Sequence, residues 1–289
     1  MARDEQNNIG DAIRSAAPFV KRAILCDTGS KDDTVGVFEA VCLENGLRHV
    51  TRRHSWDDFG ANRSRALGAA RAWTEGNGFT LMLDADDRVE NIDNLPNDGK
   101  PYRYYDAYKC AILLGNLSFE RACIFSNTKP WRYEGVTHEY PECEGQYTVR
   151  DGIVGSIRAN TSGYRSRDPL KYLKDADTIN EALKGEPDGP LRWRYLFYLA
   201  QSYRDAGHSG AAIYWYKIVL DNPGSWTEER YVAGLMLGRL TGESMYHGRA
   251  ASINPFRAEA RRALGNTLMA DACKPSPGWL FCELDKYKV

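Results

Sequence analysis

Two rhythms of apolar and polar positions divide the chain. In the first half, short apolar runs alternate with amphipathic stretches. Ala23 to Cys26 is a short buried-strand pattern that ends in the polar turn Asp27, Thr28, Gly29, Ser30. Thr34 to Glu44 has helical spacing, with Val37, Ala40 and Val41 on one face, and Leu47 to Thr51 reads as a second strand. Ala61 to Trp73 is alanine-rich and helical, and Phe79 to Leu83 is a strand running into Asp84, Ala85, Asp86 and Asp87. Strands alternating with helices predict a parallel α/β sheet of the nucleotide-binding type, with both acidic turns opening on the same edge. Between Tyr102 and Ile157 the runs shorten and alternate, as in Tyr108 to Leu114 and Arg121 to Phe125, which predicts appended antiparallel strands. Asn160 to Pro169, rich in Ser, Gly and Arg, reads as a linker.

From Leu170 onward the pattern is helical throughout. Leu199, Tyr203, Gly207, Ala212 and Tyr216, followed by Pro223, fit the spacing of a tetratricopeptide repeat. Gly207 permits the tight turn between two antiparallel helices, and Ala212 lets them approach closely. A degenerate second unit spans Trp226 to Pro255, with Phe256 to Ala270 as the next helix. An ordinary helical bundle is the competing reading. Trp193, Tyr195, Tyr198, Tyr214, Trp215 and Tyr216 offer an aromatic surface for an acceptor or for a homodimer, unless repeat helices bury them as core.

The chain has 289 residues, room for two domains, and 38 basic against 39 acidic side chains, a formal net charge of −1. Bulk charge therefore argues against a basic nucleic-acid-binding domain. Mean hydropathy is −0.54, and no apolar stretch nears the roughly 18 to 20 residues that span a bilayer. Met1 to Glu5 does not resemble a signal peptide, and the seven cysteines show no CxxC pair. The expectation is a reduced, cytoplasmic protein.

The chemistry concentrates in acidic turns. Asp84 and Asp86, one residue apart at the carboxyl end of a strand, can share a divalent metal with a diphosphate, because hard cations prefer oxygen ligands. A solvated strand-capping turn is the plainer meaning. Asp27, closing the other strand, is the residue assigned to ligand, while Ser30 or Asp32 caps the following helix.

In combination these segments resemble a known family. Residues 3–13 resemble the "KNEE.NI...L" opening of family-two glycosyltransferases of the GT-A fold. Cys26 to Thr34 resembles their "vDTGStDdT" segment, Trp56 to Ser64 their "W.dFs.aRN" segment, and Leu83 to Asp87 their "lDaDE" segment. Trp131 to Glu139 resembles the "W.G.vHE" segment of the branch that carries a C-terminal tetratricopeptide-like part. The resemblance implies a GT-A glycosyltransferase domain over 1–165 and a helical domain over 168–289. It also implies an inverting hexosyl transfer from a nucleotide-sugar donor, with a lean toward UDP. On that resemblance Asp27 bonds the nucleobase, Arg63 and Asp84 lie against the nucleoside, and Asp86, with Asp84, holds Mn²⁺ or Mg²⁺. Inversion needs a carboxylate to deprotonate the acceptor hydroxyl; Glu139 is the expected base, with Glu134 in reserve. His138 either ligates the metal or orients acceptor or phosphate. Trp131 and Tyr133 form a sugar platform or belong to the core.

Two departures stand out. Relatives carry a histidine in an "H.GY" segment where this chain has Asn160, Thr161, Ser162, Gly163 and Tyr164, and their opening motif follows an apolar first strand. Two other functions compete. One is a GT-A-fold scaffold without catalysis, recruiting partners through its repeats. The other is transfer to a hydroxylated base in nucleic acid, with Arg158, Arg165, Arg167, Lys171, Lys174, Arg192 and Arg194 tracking the backbone. The acceptor is thus a glycan, a protein or modified nucleic acid, chosen by loops such as 88–105.

Overall fold

The computed structural model describes residues 1–93 and 105–265, and the chain divides into two compact units, Met1–Asp168 and Pro169–Val289. The first unit is α/β and the second is helical, the class expected. In the first, α1 (Ile9–Ala16), β1 (Arg22–Asp27), α2 (Thr34–Glu44), β2 (Arg48–Arg53), α3 (Phe59–Trp73) and β3 (Phe79–Leu81) alternate. Six further strands follow: β4 (Arg88–Ile92), β5 (Ala107–Leu114), β6 (Leu117–Ser126), β7 (Trp131–Glu134), β8 (Tyr140–Cys143) and β9 (Val149–Arg158).

The sheet is mixed, as a GT-A-like fold implies, but the parallel strands expected to share one edge fall in different sheets. β1 and β2 form a parallel pair, and β3 lies instead at the edge of a five-stranded sheet ordered β3-β6-β5-β9-β4. In that sheet only β5 and β9 are parallel; the β3–β6, β6–β5 and β9–β4 pairs are antiparallel. The two acidic turns therefore close strands of different sheets. The appended strands β5 and β6 are antiparallel as expected, with Gly115 at φ +56° permitting a two-residue turn between Leu114 and Leu117, whereas β9 departs from expectation by pairing with β5 in parallel. β7 and β8 form a separate hairpin.

Three apolar clusters hold the unit. Ile9 of α1, Leu25 of β1, and Phe38 and Cys42 of α2 form the first. The buried face of α2 is thus Thr34, Phe38, Val41 and Cys42, and Ala40, expected inside, is exposed because Phe38 sets the rotation of the helix. Tyr108, Cys110, Ile112, Ile124, Val154 and Ile157 form the second, on the five-stranded sheet. Leu67 of α3, Met82, Phe125 and Trp131 form the third.

Asn160 to Pro169 is not a free connector. Its amides and side chains are bonded back into the first unit, as the site geometry shows below, and a 3-10 turn covers Tyr164–Arg167. Of the 88–105 segment, 88–92 is β4, and 94–104 lies outside the described residues.

The second unit contains α4 (Lys171–Gly185), α5 (Pro190–Asp205), α6 (Ser209–Asp221), α7 (Thr227–Thr241), α8 (Ser244–Ile253) and α9 (Glu259–Ala263). Pro190 starts α5, where its missing N–H costs nothing. Gly207, at φ +81°, turns α5 into α6, and Ala212 is fully buried. Gly242, at φ +76°, ends α7 in the left-handed conformation that closes a helix. Tyr195, Tyr198 and Tyr216 are core, whereas Tyr214 is 60% exposed. Of the helix expected over Phe256 to Ala270, only α9 is described, and 266–270 lies outside the described residues. Among the described residues no helix is long and apolar enough to cross a membrane.

Candidate functional site

The opening motif and the Asp27 turn bind each other through reciprocal hydrogen bonds. The Asp4 amide donates to Ser30 Oγ (3.0 Å), that of Glu5 to Thr34 Oγ1 (2.8 Å), and that of Gln6 to Asp32 Oδ2 (3.1 Å). In return, Lys31 N donates to Asp4 Oδ1 (2.6 Å) and Asp33 N to Gln6 Oε1 (3.0 Å). Short polar side chains thus satisfy loop amides that no ladder could reach. Asp27 is 4% exposed, and its Oδ1 accepts the Ser30 amide at 3.0 Å. Gly29 sits at φ +100° with open space where a Cβ would stand, a bend suited to close backbone approach. Asp32, not Ser30, serves the start of α2, accepting the Thr34 amide at 3.1 Å. Burial raises the Asp32 carboxyl, but the Thr34 hydroxyl and nearby amides outweigh that and hold it below its ordinary value.

Arg63, one turn into α3, is the hub. Its NH2 group pairs with Asp84 Oδ1 at 2.6 Å and its Nε with Glu139 Oε1 at 2.5 Å. The guanidinium also lies 5.7 Å from the Tyr133 ring centroid. Arg121 of β6 supplies a second cation, 3.7 Å from Asp84 Oδ2 and 3.5 Å from Asp87 Oδ2. Burial alone would lift Asp84, yet Arg63 and Arg121 overcome it and hold its carboxyl at about 2. Asp87, buried beside the Asp84 charge, is pushed up to about 7 in spite of Arg121. Asp86 is also raised, first by burial and then by repulsion from Asp84 and Glu5.

The segment without the histidine is placed against this cluster. Gly163 N donates to Asp86 Oδ2 at 3.0 Å, and Tyr164 N to Glu5 Oε1 at 2.7 Å. Ser162 Oγ donates to Asn8 Oδ1 at 2.9 Å, and Asn160 N to Asp87 Oδ1 at 3.3 Å. Among the described residues no group of three or more His, Cys, Asp or Glu side chains is arranged to hold a metal. The donor chemistry nonetheless fits Mg²⁺ or Mn²⁺. Asp86 has a hard carboxylate that is raised by burial and by the Asp84 charge and that accepts the Gly163 amide, and such ions take one or two carboxylates plus phosphate and water. Asp84 already faces two guanidiniums, which leaves Asp86 as the better ligand.

The remaining expected residues divide. Trp131 is 7% exposed and packs on Phe125 and Tyr147, so it is core. Tyr133 faces Arg63 from the same side of β7. Strand alternation puts Arg132 and Glu134 on the opposite side, where they pair at 2.6 Å; Glu134 is directed away from Arg63. His138, at φ +52°, occupies the bend between β7 and β8 that delivers Glu139.

Sequence reasoning did not single out Glu5, Arg121 or Cys123. Glu5 had a signal, its place in the opening motif. Arg121 and Cys123 had none, because their meaning comes from β6 running beside the Asp84 turn. Cys123 is held below its ordinary value by a hydrogen bond with Cys110 and by Arg121.

Several cations offered for a phosphate backbone have partners within the fold. Arg158 pairs with Glu90, Arg165 lies over Phe59, and Arg167 bonds the Ser162 carbonyl. Arg192 bonds the carbonyls that end α4, and Arg194 pairs with Glu229 at 3.4 Å.

No protein-family model matches this sequence, and no curated protein matches it. Among solved structures the chain is similar to S. aureus TarS 1–349 in complex with UDP-GlcNAc, at 14% identity and a TM-score of 0.36, covering 91% of this chain and 90% of that chain. It is similar to TarS 1–349 in complex with UDP at 15% identity and a TM-score of 0.38, and to TarS 1–349 alone at 13% and 0.36, with the same coverage.

Proposed function

We propose that residues 1–165 form a GT-A-type glycosyltransferase domain that moves a hexosyl group from a UDP-sugar to an acceptor hydroxyl with inversion. The observation that carries this reading is the convergence on Arg63 of Asp84 and Glu139, at 2.6 and 2.5 Å, from three separate sequence motifs. The helical domain, 168–289, holds the acceptor or a second copy through tetratricopeptide-like hairpins.

In this reading Asp27 closes the nucleobase end. Its Oδ1 is occupied by the Ser30 amide, and Oδ2 accepts the imide N–H of a uracil. Asp84 and Arg63 flank the nucleoside, and Tyr133 supplies the apolar wall behind Arg63. Asp86 would hold Mg²⁺ or Mn²⁺, which supplies positive charge to the diphosphate leaving group. Glu139, oriented by Arg63, accepts the proton of the acceptor hydroxyl. The hydroxyl oxygen bonds to C1 as the C1–oxygen bond to the diphosphate breaks, and the diphosphate leaves with the electron pair. Arg63 and Arg121 keep positive charge beside the developing anion.

Calorimetric titration of nucleoside diphosphates, with and without Mn²⁺, tests the reading on wild type and Asp86→Ala. UDP is expected to bind, and Asp86→Ala to weaken its Mn²⁺-dependent binding at least about tenfold. If no nucleotide binds, the transferase reading fails and a scaffold built on the same fold takes its place.

A further inference from the structure

Trp56 opens the motif that supplies Arg63 and has no part in the donor chemistry. It lies in the stretch between β2 and α3, and both ends of that stretch are tied to the site. The His54 amide donates to the Asp27 carbonyl at 3.0 Å, and the Phe59 amide donates at 3.1 Å to the carbonyl of Val136, in the loop that delivers Glu139. The Trp56 and Phe59 rings meet edge to face with centroids 4.8 Å apart, and the Arg165 guanidinium lies 4.6 Å from the Phe59 centroid. Phe59 and Arg63 are four apart on α3 and share one helix face. Phe59 thus stands one turn from the guanidinium that orients Glu139, and Trp56 one ring further out.

Trp131 is core, and Tyr133 has the Arg63 guanidinium over its ring. Trp56, by contrast, is 40% exposed. The charged groups beside it come in both signs. Asp57, with 47% of its side chain exposed, pairs with Arg65, Asp58 caps α3 by accepting the Ala61 amide at 2.7 Å, and Arg165 is exposed. A flat apolar ring with a carboxylate and a guanidinium at its rim suits a pyranose. The C–H bonds on one face of the sugar are slightly positive and meet the negative face of the indole, while its hydroxyls both donate and accept. A phosphate backbone wants cations alone, and carboxylates follow this ring directly in the chain.

We propose that Trp56 is the stacking platform for a carbohydrate acceptor, an inference that rests on the transferase reading. The sugar on the indole is the unit next to the one whose hydroxyl reaches Glu139, and Asp57 and Arg165 bond its hydroxyls. Phe59 fixes the ring in place. The acceptor class selected in this way is an oligosaccharide of two or more units, rather than a nucleic acid.

The test is retention of the whole chain on an array of immobilised mono- to tetrasaccharides, with single-stranded oligothymidylate on the same array. Wild type is compared with Trp56→Ala, Trp56→Tyr and Trp226→Ala, since Trp226 is exposed to a similar degree, 48%, on the helical unit. Wild type is expected to bind a subset of the di- to tetrasaccharides, and Trp56→Ala to lose that binding about tenfold. Trp56→Tyr, which keeps a ring, and Trp226→Ala are expected to stay close to wild type. Where Trp56→Ala unfolds early, Trp56→Leu takes its place, keeping bulk without a flat ring. Calorimetric titration with UDP on the same proteins separates this proposal from the transferase reading. UDP affinity is expected to be unchanged in Trp56→Ala; an equal loss there, with thermal unfolding unaltered, gives Trp56 to the nucleobase and overturns the platform. So does Trp56-dependent retention of oligothymidylate, and so does a wild type that retains no oligosaccharide, even when it binds UDP and the transferase reading survives. If UDP fails to bind while Trp56-dependent oligosaccharide binding persists, the transferase reading falls and the platform stands as a carbohydrate site.

Discussion

One guanidinium, that of Arg63, answers two carboxylates that would otherwise repel each other with 12% and 26% of their side chains exposed. Removing the shared cation takes away the Glu139 partner and leaves Asp84 with Arg121 at 3.7 Å, and breaking a buried pair in this way typically costs about 3–5 kcal/mol. Arg63→Met is expected to lower unfolding free energy by that amount in urea titration, and Glu139→Gln in the same chain to restore part of it. A second residue-scale expectation concerns Glu229, on α7. Burial lifts its carboxyl from 4.5 to about 7 against the downward pull of Arg194. The fold favours the protonated form, so the stability tied to this group is full below about pH 4.5 and is lost as pH rises through about 7. Glu229→Gln should match wild type near pH 4.5 and exceed it by about 1–3 kcal/mol at pH 8, read by denaturation at both pH values. A variant that loses stability at pH 8 would show that the ionised pair with Arg194 is favourable.

Helix α3 shows how much one element demands of single positions. A Cβ at Gly60 would run into the Gly135 carbonyl oxygen and stand 3.1 Å from that of Tyr133, whereas a Cβ at Gly68 meets nothing within 4 Å. Both glycines look alike in an alanine-rich helical pattern. Gly60→Ala is expected to destabilise by about 2–4 kcal/mol, through a backbone clash that shifts the β7 hairpin and with it Glu139. Gly68→Ala should gain up to about 1 kcal/mol from helix propensity alone. Thermal unfolding of the two variants separates these outcomes. The element scale is also where sequence reading succeeded most. The bounds of α2 fall at Thr34 and Glu44 as its spacing predicts, and β1, α3, β5 and β6 are close to expectation. The face of α2 was less legible, because Val, Ala and Phe all satisfy a helical period and only packing decides which of them lies inside. The pairing of β1 and β3 was not legible at all, since strand order depends on contacts between segments far apart in the chain.

At the scale of the whole molecule, the acidic turns and Arg63 could be picked from their motifs, and the structure brings Arg63, Asp84 and Glu139 together. Glu134 and Trp131 were equally good candidates by residue type. The alternation of β7 turns Glu134 to the opposite side, and packing against Phe125 buries Trp131. Arg121 became visible only when β6 was seen beside the Asp84 turn. Binding of UDP is expected to slow amide exchange at Gly163 and Tyr164, whose N–H groups already donate to Asp86 and Glu5. Unchanged exchange at both amides on saturation would separate that seam from the donor site.

The Tyr164 to Glu5 bond also bears on the order in which this unit assembles. It joins positions 159 residues apart, and closing so long a loop precedes any contact that rewards it. The hairpin of β5 and β6 closes over a two-residue turn and has no such delay. The seam around Glu5, Asp86 and Gly163 is therefore a late step in folding and an early one in local opening. A partly denatured chain is expected to keep its β5–β6 hairpin after its acidic site has come apart, which native-state amide exchange at Tyr164 and along β5 would show.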